Sequence, residues 1–311
     1  MEYSLEVSNL IERQLRDWDT VKKNYGDLER VKLRSLRVGL SSIVLQFNPE
    51  RLRSSAAKVD AATLKAKACF LCSEHQPREQ EAVIWQERYK IQVNPYPIFP
   101  LHLTVASLEH TPQRMAGRVG DLLQLAHDLP GFVLFYNGPK CGASAPDHMH
   151  FQAGNQGFMP FVQEVGNSRL AYIDVDDDGF LALSHDLARR AFLIKSRTVE
   201  RATSLFNMLQ QAMPLRGDDD EPMQNVLCWW NRGAYGIIVF PRRKHRPACY
   251  GSGENQFLIS PASVDMGGMW AVPVEKDFLA LTAQDVQHMY DELCMTQEDA
   301  IEIITNLNKK I

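Results

Sequence analysis

The chain predicts an α+β fold: an antiparallel sheet with flanking helices, in two consecutive α+β halves. Three observations predict it. Short β-rich runs come in clusters separated by turn residues; helical runs with N-cap signals lie outside those clusters; and the two kinds do not alternate as a doubly wound parallel sheet would demand. A length of 311 residues, 45% hydrophobic and 23% charged, allows one large or two ordinary domains with a sizeable core. We place a boundary near residue 165, giving 1–165 with an N-terminal helix and the candidate chemistry, and 166–311 as the second half.

The elements follow in order. Leu5, Ile11 and Leu15 recur among charges at helical spacing, which predicts an amphipathic helix within residues 5–30. Val38 to Phe47 is β-rich, and the NPERLRSSAAK stretch after it reads as a loop leading to Cys69. Trp85 to Val93 and Leu101 to Ser107 predict two strands of a hairpin, joined through the prolines of Asn94-Pro95-Tyr96-Pro97. Thr111 before Pro112 is an N-cap signal for a helix running to Leu129. Phe132 to Asn137 predicts a strand, followed by the loop GPKCGASAP and an extended segment from His148 to Gln152. In the second half, Arg169 to Val175 and Phe180 to Leu183 predict a hairpin, and Ala188 to Lys195 a further apolar run. A helix over 198–213, strands over Asn225 to Trp230 and Gly236 to Phe240, and two helices capped by Thr282 and Thr296 complete the chain.

Composition removes several functions. A formal net charge of −4 argues against a general nucleic-acid coat, although Arg242, Arg243, Lys244, His245 and Arg246 form one local basic cluster. The N-terminus carries acids from its second residue and has no continuous apolar stretch, so it reads as neither a secretory signal nor a membrane span, and the chain as cytoplasmic. Six cysteines are too few for a disulfide scaffold. No G-x-G-x-x-G or P-loop sequence occurs. DVDDDG begins like a calcium loop, but its twelfth position falls on His185, where a bidentate acid is required, so it reads as a hairpin turn.

The chemistry concentrates in APDHMHFQAG. On a strand, the period of two puts His148, His150 and Gln152 on one face. A neutral imidazole offers one lone pair for attack on phosphorus and one N–H for an orienting hydrogen bond. Just upstream, Gly138, Gly142, Ala143 and Ser144 allow a tight backbone path whose N–H groups, with the Ser144 hydroxyl, suit phosphate oxygens. Cys69-x-x-Cys72 has the spacing of half a tetrahedral zinc site, and equally of a redox pair or of two buried thiols.

YNGPKCGASAPDHMHFQ closely resembles the active-site segment of the histidine triad superfamily, in its H-x-H-x-Q transferase branch of galactose-1-phosphate uridylyltransferases, diadenosine tetraphosphate phosphorylases and GDP-hexose phosphorylases. The resemblance implies a HIT-like sheet in both halves, and a nucleotidyltransferase or phosphorylase working through a covalent nucleotidyl-histidine. His150 maps onto the nucleophile, Gln152 onto the glutamine holding the nucleotidyl phosphate, and Ser144 onto the loop serine. Asn94 maps toward the base or ribose; Lys140 and Asn137, with Gly142 and Ala143 of the loop, join the expected substrate contacts. KACFLCSEHQP is similar to the uridylyltransferases' zinc segment, and their remaining ligands map onto His110 and His148, with His102 and His75 as competitors. A faint likeness over NVLCWWNRGAYGIIVFPRRKHRP implies that Arg242 or Arg243 touches the distal phosphate. The expected donor is a nucleotide sugar or dinucleoside polyphosphate and the acceptor phosphate or a sugar phosphate, with no nucleic acid and no membrane as partner; a homodimer is compatible with the sequence. Gln152 cannot ionise, so it positions without activating water. The rivals are a hydrolase of the same superfamily and a zinc-stabilised nucleotide-binding protein without turnover.

Overall fold

A computed structural model describes residues 2–48 and 68–309. The NPERLRSSAAK stretch lies outside the described residues but for Asn48.

The N-terminal helical signal is two helices, α1 (Glu2–Asp17) and α2 (Asp19–Gly26), because Trp18 turns extended between them and buries its ring. β1 (Lys32–Val38) and β2 (Ser41–Phe47) then form an antiparallel hairpin, closed at Gly39 with φ +55°. β3 (Val83–Trp85) and β4 (Tyr89–Val93) are likewise two strands where one run was expected. Gln86 and Glu87 take φ of 47° and 55° in the turn between them, positions usually given to Gly or Asn. The hairpin of β4 with β5 (His102–Ser107) is as expected.

The helix expected from Thr111 begins only at Val119, as α3 (Val119–Asp128). The backbone before it is engaged elsewhere: the Thr111 carbonyl accepts from Met149 N–H at 2.7 Å, Gln113 N–H donates to Pro146 O at 3.1 Å, and Met115 N–H to the Glu221 carboxylate at 2.7 Å. Local capping loses to these long-range bonds. β6 (Phe132–Asn137), β7 (His150–Asn155) and α4 (Pro160–Glu164) close the first half.

In the second half, β8 (Leu170–Asp176) and β9 (Gly179–Ser184) are the expected hairpin, turned by Asp176, whose carboxylate accepts from the N–H groups of Asp178 and Gly179. β10 (Ala191–Ser196), α5 (Val199–Ala212, capped by Thr198), β11 (Gln224–Asn231) and β12 (Ala234–Pro241) follow. Five elements went unread in the sequence: β1 and α4 above, and here α6 (Ser263–Met266), β13 (Met269–Val272) and α7 (Glu275–Ala280). α8 (Ala283–Leu293) and α9 (Gln297–Asn308) start at capping boxes formed by Thr282 with Asp285 and Thr296 with Asp299.

The main sheet has ten strands in the order β3-β4-β5-β7-β6-β11-β12-β10-β9-β8, each pair antiparallel. Its first five strands come from residues 83–155 and its last five from 170–241, joined where β6 meets β11. Alternate residues feed two cores. Tyr136 and Phe151 face a core shared with α1, α3, α5 and α9. Phe135, Ile238 and Phe240 face a second core roofed by the three-stranded sheet β1-β2-β13 with α7 and α8. This is an α+β fold built on a large antiparallel sheet with flanking helices. No described helix is long and apolar enough to cross a membrane.

Candidate active site

The second-core face of β7 opens into a cleft of about 800 Å³, which suits a nucleotide, since small-molecule sites span roughly 300–1,000 Å³. Phe151 and Ala153 point the other way, into the helix-side core, so His150 and Gln152 line the cleft by the strand's period of two. His148 does not join them. It lies before the first residue of β7, in the turn where its N–H reaches Ala145 O at 3.2 Å, and its ring turns to the cysteines. The expectation of three groups on one strand face therefore holds for two.

His150 is 3% exposed and held from several sides. Its Nδ1 lies 2.8 Å from the His148 carbonyl oxygen, so Nδ1 carries the proton and donates it. Burial pushes the ring down to about 4, leaving it neutral near pH 7. Nε2 therefore keeps its lone pair, and among the described residues it has no hydrogen-bond partner although it is buried. The backbone is clamped by Gln113, itself 1% exposed: its Oε1 accepts from His150 N–H at 2.7 Å, while its Nε2 donates to the carbonyls of His150 and Asn137, both at 2.9 Å. β6 and β7 pair only as far as Phe135 with Gln152, and the Gln113 amide takes over beyond that point.

Gln152 is oriented by His102. The ring of His102 accepts from Ile98 N–H at Nδ1, 3.1 Å, so its Nε2 carries the proton that Gln152 Oε1 accepts at 3.0 Å. The Gln152 oxygen is thereby taken, and the NH₂ is the end of the amide presented as a donor. Phe99, edge-on at 5.5 Å, and Phe135, at 5.9 Å, pack against the imidazole. His102 thus belongs to Gln152 and not to the metal-ligand group.

Ser144 is exposed and lines the cleft with Gly142 and Ala143. Gly142 takes φ +96°, and a Cβ there would lie 2.5 Å from the Ala262 Cβ. Gly142→Ala is therefore expected to lower stability by about 1–3 kcal/mol through strain and clash and to weaken nucleotide binding. Urea denaturation and equilibrium dialysis check this; an unchanged midpoint with unchanged binding would contradict it.

Other expected contacts are placed less simply. Asn94 lines the cleft, but its side chain serves the turn: Oδ1 accepts from Tyr96 N–H at 2.9 Å and Nδ2 donates to Thr104 Oγ1 at 3.2 Å. Asn137 also reaches the cleft wall, yet its Oδ1 accepts from Asn225 Nδ2, Ser263 N–H and Ser263 Oγ at 2.7–2.9 Å, a junction between the two halves. Lys140 is not on the wall; it pairs with Asp219. Arg242 is 2% exposed and bound to Asn225, Pro261 O, Leu293 O, Lys244 O and His245 O, and Arg243 pairs with Asp299. Neither lines the cleft, which corrects the expectation that one of them meets a phosphate; His245 and Arg246 line it instead.

Behind His150, Cys69, Cys72, His110 and His148 offer four ligand atoms within 4.8 Å of one another. His148 Nδ1 lies 3.3 and 3.6 Å from the Cys69 and Cys72 sulfurs, and His110 Nδ1 3.1 Å from Cys72 Sγ. Zinc bonds of about 2.3 Å to sulfur and 2.0–2.1 Å to nitrogen at the tetrahedral angle imply N···S edges of about 3.6 Å, so these four fit. His148 Nε2–H donates to Ser107 O at 2.9 Å, and His110 Nε2 lies 3.4 Å from the Asp147 carboxylate, the outer partners that aim both Nδ1 atoms inward. His75 belongs to a second possible grouping with Cys72 and Glu74, and its Nδ1 lies 3.1 Å from Cys69 O. All six cysteines are free thiols.

The comparisons fall on this geometry. Residues 10–155 match the family described as Domain of unknown function (DUF4922). Galactose-1-phosphate uridylyltransferase of Halalkalibacterium halodurans is 31% identical over 106 residues, 29% of this chain and 21% of that protein, so the match spans about a fifth of the relative's length. Yeast Ap4A phosphorylase Apa2 in complex with Ap4A superposes with a TM-score of 0.62 at 19% identity, over 92% of this chain and 97% of that one. The chain has the fold of yeast Ap4A phosphorylase Apa2. A second structure of yeast Apa2 gives a TM-score of 0.60 at 16% identity, with 94% of each chain covered. Both likenesses run through the two halves of the chain, so the whole of its α+β architecture, with the large antiparallel sheet and its flanking helices, is shared with Apa2.

The residues that sequence reasoning missed are Gln113, His102 in its orienting role, Asn225 and Ser263. Each acts through a side-chain bond to a distant segment, for which one sequence carries no signal.

Proposed function

We propose that this protein is a nucleotidyltransferase or phosphorylase that cleaves a nucleotide sugar or dinucleoside polyphosphate by double displacement at His150. One observation carries the reading: a buried imidazole whose Nδ1–H is committed to the His148 carbonyl and whose Nε2 lone pair stands unpartnered at the cleft. Nε2 attacks the α-phosphorus, the P–N bond forms, and the distal phosphate-bearing group leaves with the electrons of the broken P–O bond. A phosphate oxygen of the acceptor then attacks the same phosphorus and Nε2 recovers its lone pair. The Gly142–Ala143–Ser144 backbone and hydroxyl and the Gln152 NH₂ hold the phosphoryl oxygens, and the Asn94 side of the cleft takes the nucleoside. The resemblance in sequence and the structural likeness to a phosphorylase support this reading over hydrolysis or binding alone.

Steady-state kinetics with a panel of ADP-, GDP- and UDP-sugars and dinucleoside polyphosphates, varied against orthophosphate or a sugar phosphate, test it. The expected pattern is parallel double-reciprocal lines with no appreciable hydrolysis; intersecting lines would contradict the double displacement.

Cys69, Cys72, His110 and His148 would hold zinc, which when bound fixes the entry of β7 without touching substrate. Because His148 offers its ring to that cluster and its carbonyl to His150, the cluster sets the nucleophile's tautomer and aim. Burial and the neighbouring Cys69 sulfur push the Cys72 thiol up to about 11, so loading the cation releases protons. The expected metal content is one zinc per chain, lost in Cys72→Ala, and chelation is expected to lower Tm by at least several degrees. Metal-free protein of unchanged Tm would sink the zinc assignment.

A further inference from the structure

Arg246 is the only arginine or lysine among the described residues lining the cleft, where the carboxylates of Glu79, Asp147 and Asp265 also stand. A substrate carrying several phosphates needs a positive partner somewhere along that wall. Arg246 is built for one. Its guanidinium stacks on the Tyr250 ring at 4.1 Å from the centroid, and its Nε donates to Ser260 Oγ at 3.3 Å. Among the described residues no carboxylate forms an ion pair with it, unlike Lys140, Arg243 and Lys244, which pair with Asp219, Asp299 and Glu292. The stack and the serine hold the planar group in place and leave the two terminal nitrogens free of a salt bridge, a fork that matches the oxygens of a phosphate. Its neighbour His245 is held neutral, down to about 4, by burial and by the charges of Arg246 and Arg242, so Arg246 supplies the charge alone.

The position fits as well. Gly142, of the loop around the α-phosphate, packs on Ala262, two residues beyond Ser260 in the same segment. Asn225, which ties that loop through the Cys141 carbonyl at 2.8 Å, is bound in turn by Arg242, whose guanidinium also holds the Lys244 and His245 carbonyls and so fixes the backbone leading into Arg246. The loop and Arg246 thus border one stretch of wall.

We infer that Arg246, stacked on Tyr250 and braced by Ser260, binds a phosphate of the acceptor, and the equivalent phosphate of the departing group in the reverse sense. The inference rests on the nucleotidyl-transfer reading and adds the residue that holds the acceptor's phosphate. Its oxygen attacks the α-phosphorus, the P–N bond to His150 Nε2 breaks, and the product is a nucleoside diphosphate from orthophosphate or a nucleoside diphosphate hexose from hexose 1-phosphate; no proton or further reactant is required. Free orthophosphate and a hexose 1-phosphate present the same chemistry, and experiment separates them.

The test uses wild type, Arg246→Gln and Arg246→Lys. Nucleotidyl-enzyme is formed with a donor, freed of excess donor, and discharged with increasing orthophosphate or hexose 1-phosphate. For the true acceptor, R246Q is expected to raise the half-saturating concentration by about tenfold or more, with R246K between, while the rate at saturation changes less. The acceptor showing this shift is the natural class; equal half-saturation in wild type and R246Q for both would overturn the inference. Thermal stabilisation by inorganic orthophosphate, measured without turnover, keeps the question separate from the mechanism. If no nucleotidyl-enzyme forms, the mechanism fails, yet a stabilisation seen in wild type and lost in R246Q still supports the Arg246 site. No stabilisation of wild type, or an equal one in R246Q, overturns it.

Discussion

His150→Ala is expected to lower turnover by about 10⁴-fold or more, because in the proposed double displacement it removes the attacking atom. The strand should survive, since the clamp on this position is made by its backbone: Gln113 bonds the N–H and C=O of residue 150, not its ring. Nucleotide affinity is expected to change only severalfold, as Gly142, Ser144 and Gln152 remain on the wall. Progress curves and isothermal titration on the same preparation check both halves of the statement. A variant that turns over within tenfold of wild type would remove His150 from the chemistry.

The largest effect on stability is expected at Arg242. Its guanidinium ties together four segments of the second half, bonding the carbonyls of Pro261, Leu293, Lys244 and His245 and also Asn225, whose own amide reaches across to Asn137 of the first half. Arg242→Leu leaves several buried acceptors unpaired, and we expect a loss of about 3–5 kcal/mol. Two-state urea unfolding measures it, and a loss under about 1 kcal/mol would show that the carbonyls find other donors. Arg242→Lys should recover little of the loss, since a single ammonium cannot span five acceptors lying in different directions.

How far the sequence announces this arrangement depends on the range of the bonds that make it. Thr282 and Thr296 cap their helices through Asp285 and Asp299 three residues on, and both helices were legible from that signal alone. Thr111-Pro112 carries an equally good cap signal and starts no helix there, because the Met149, Pro146 and Glu221 partners of that segment lie far along the chain. β3 and β4 read as one strand because Gln86 and Glu87 take the left-handed turn without the Asn-Gly or Asp-Gly that marks one. At the site, the period of two placed His150 and Gln152 correctly, while the turn at Ala145 to His148 removed His148 from the strand and gave its ring to the cysteines. The four-residue metal cluster was legible only through resemblance, since Cys72 and His110 are 38 positions apart and Cys69 and His148 79. FPRRKHRP is legible as basic, but the expectation for Arg242 or Arg243 fails because Arg242 is drawn inward by Asn225, 17 positions earlier, and it is His245 and Arg246 that line the cleft.

The central claim is the covalent nucleotidyl-His150, and the most direct measurement is the intact mass of the protein after brief exposure to ADP-, GDP- and UDP-sugars and dinucleoside polyphosphates. The account predicts an added nucleoside monophosphate that is acid-labile, is absent in His150→Ala, and disappears when a phosphate acceptor is supplied. Nucleotide binding with no added mass for any donor, or an adduct that persists in His150→Ala, would contradict it.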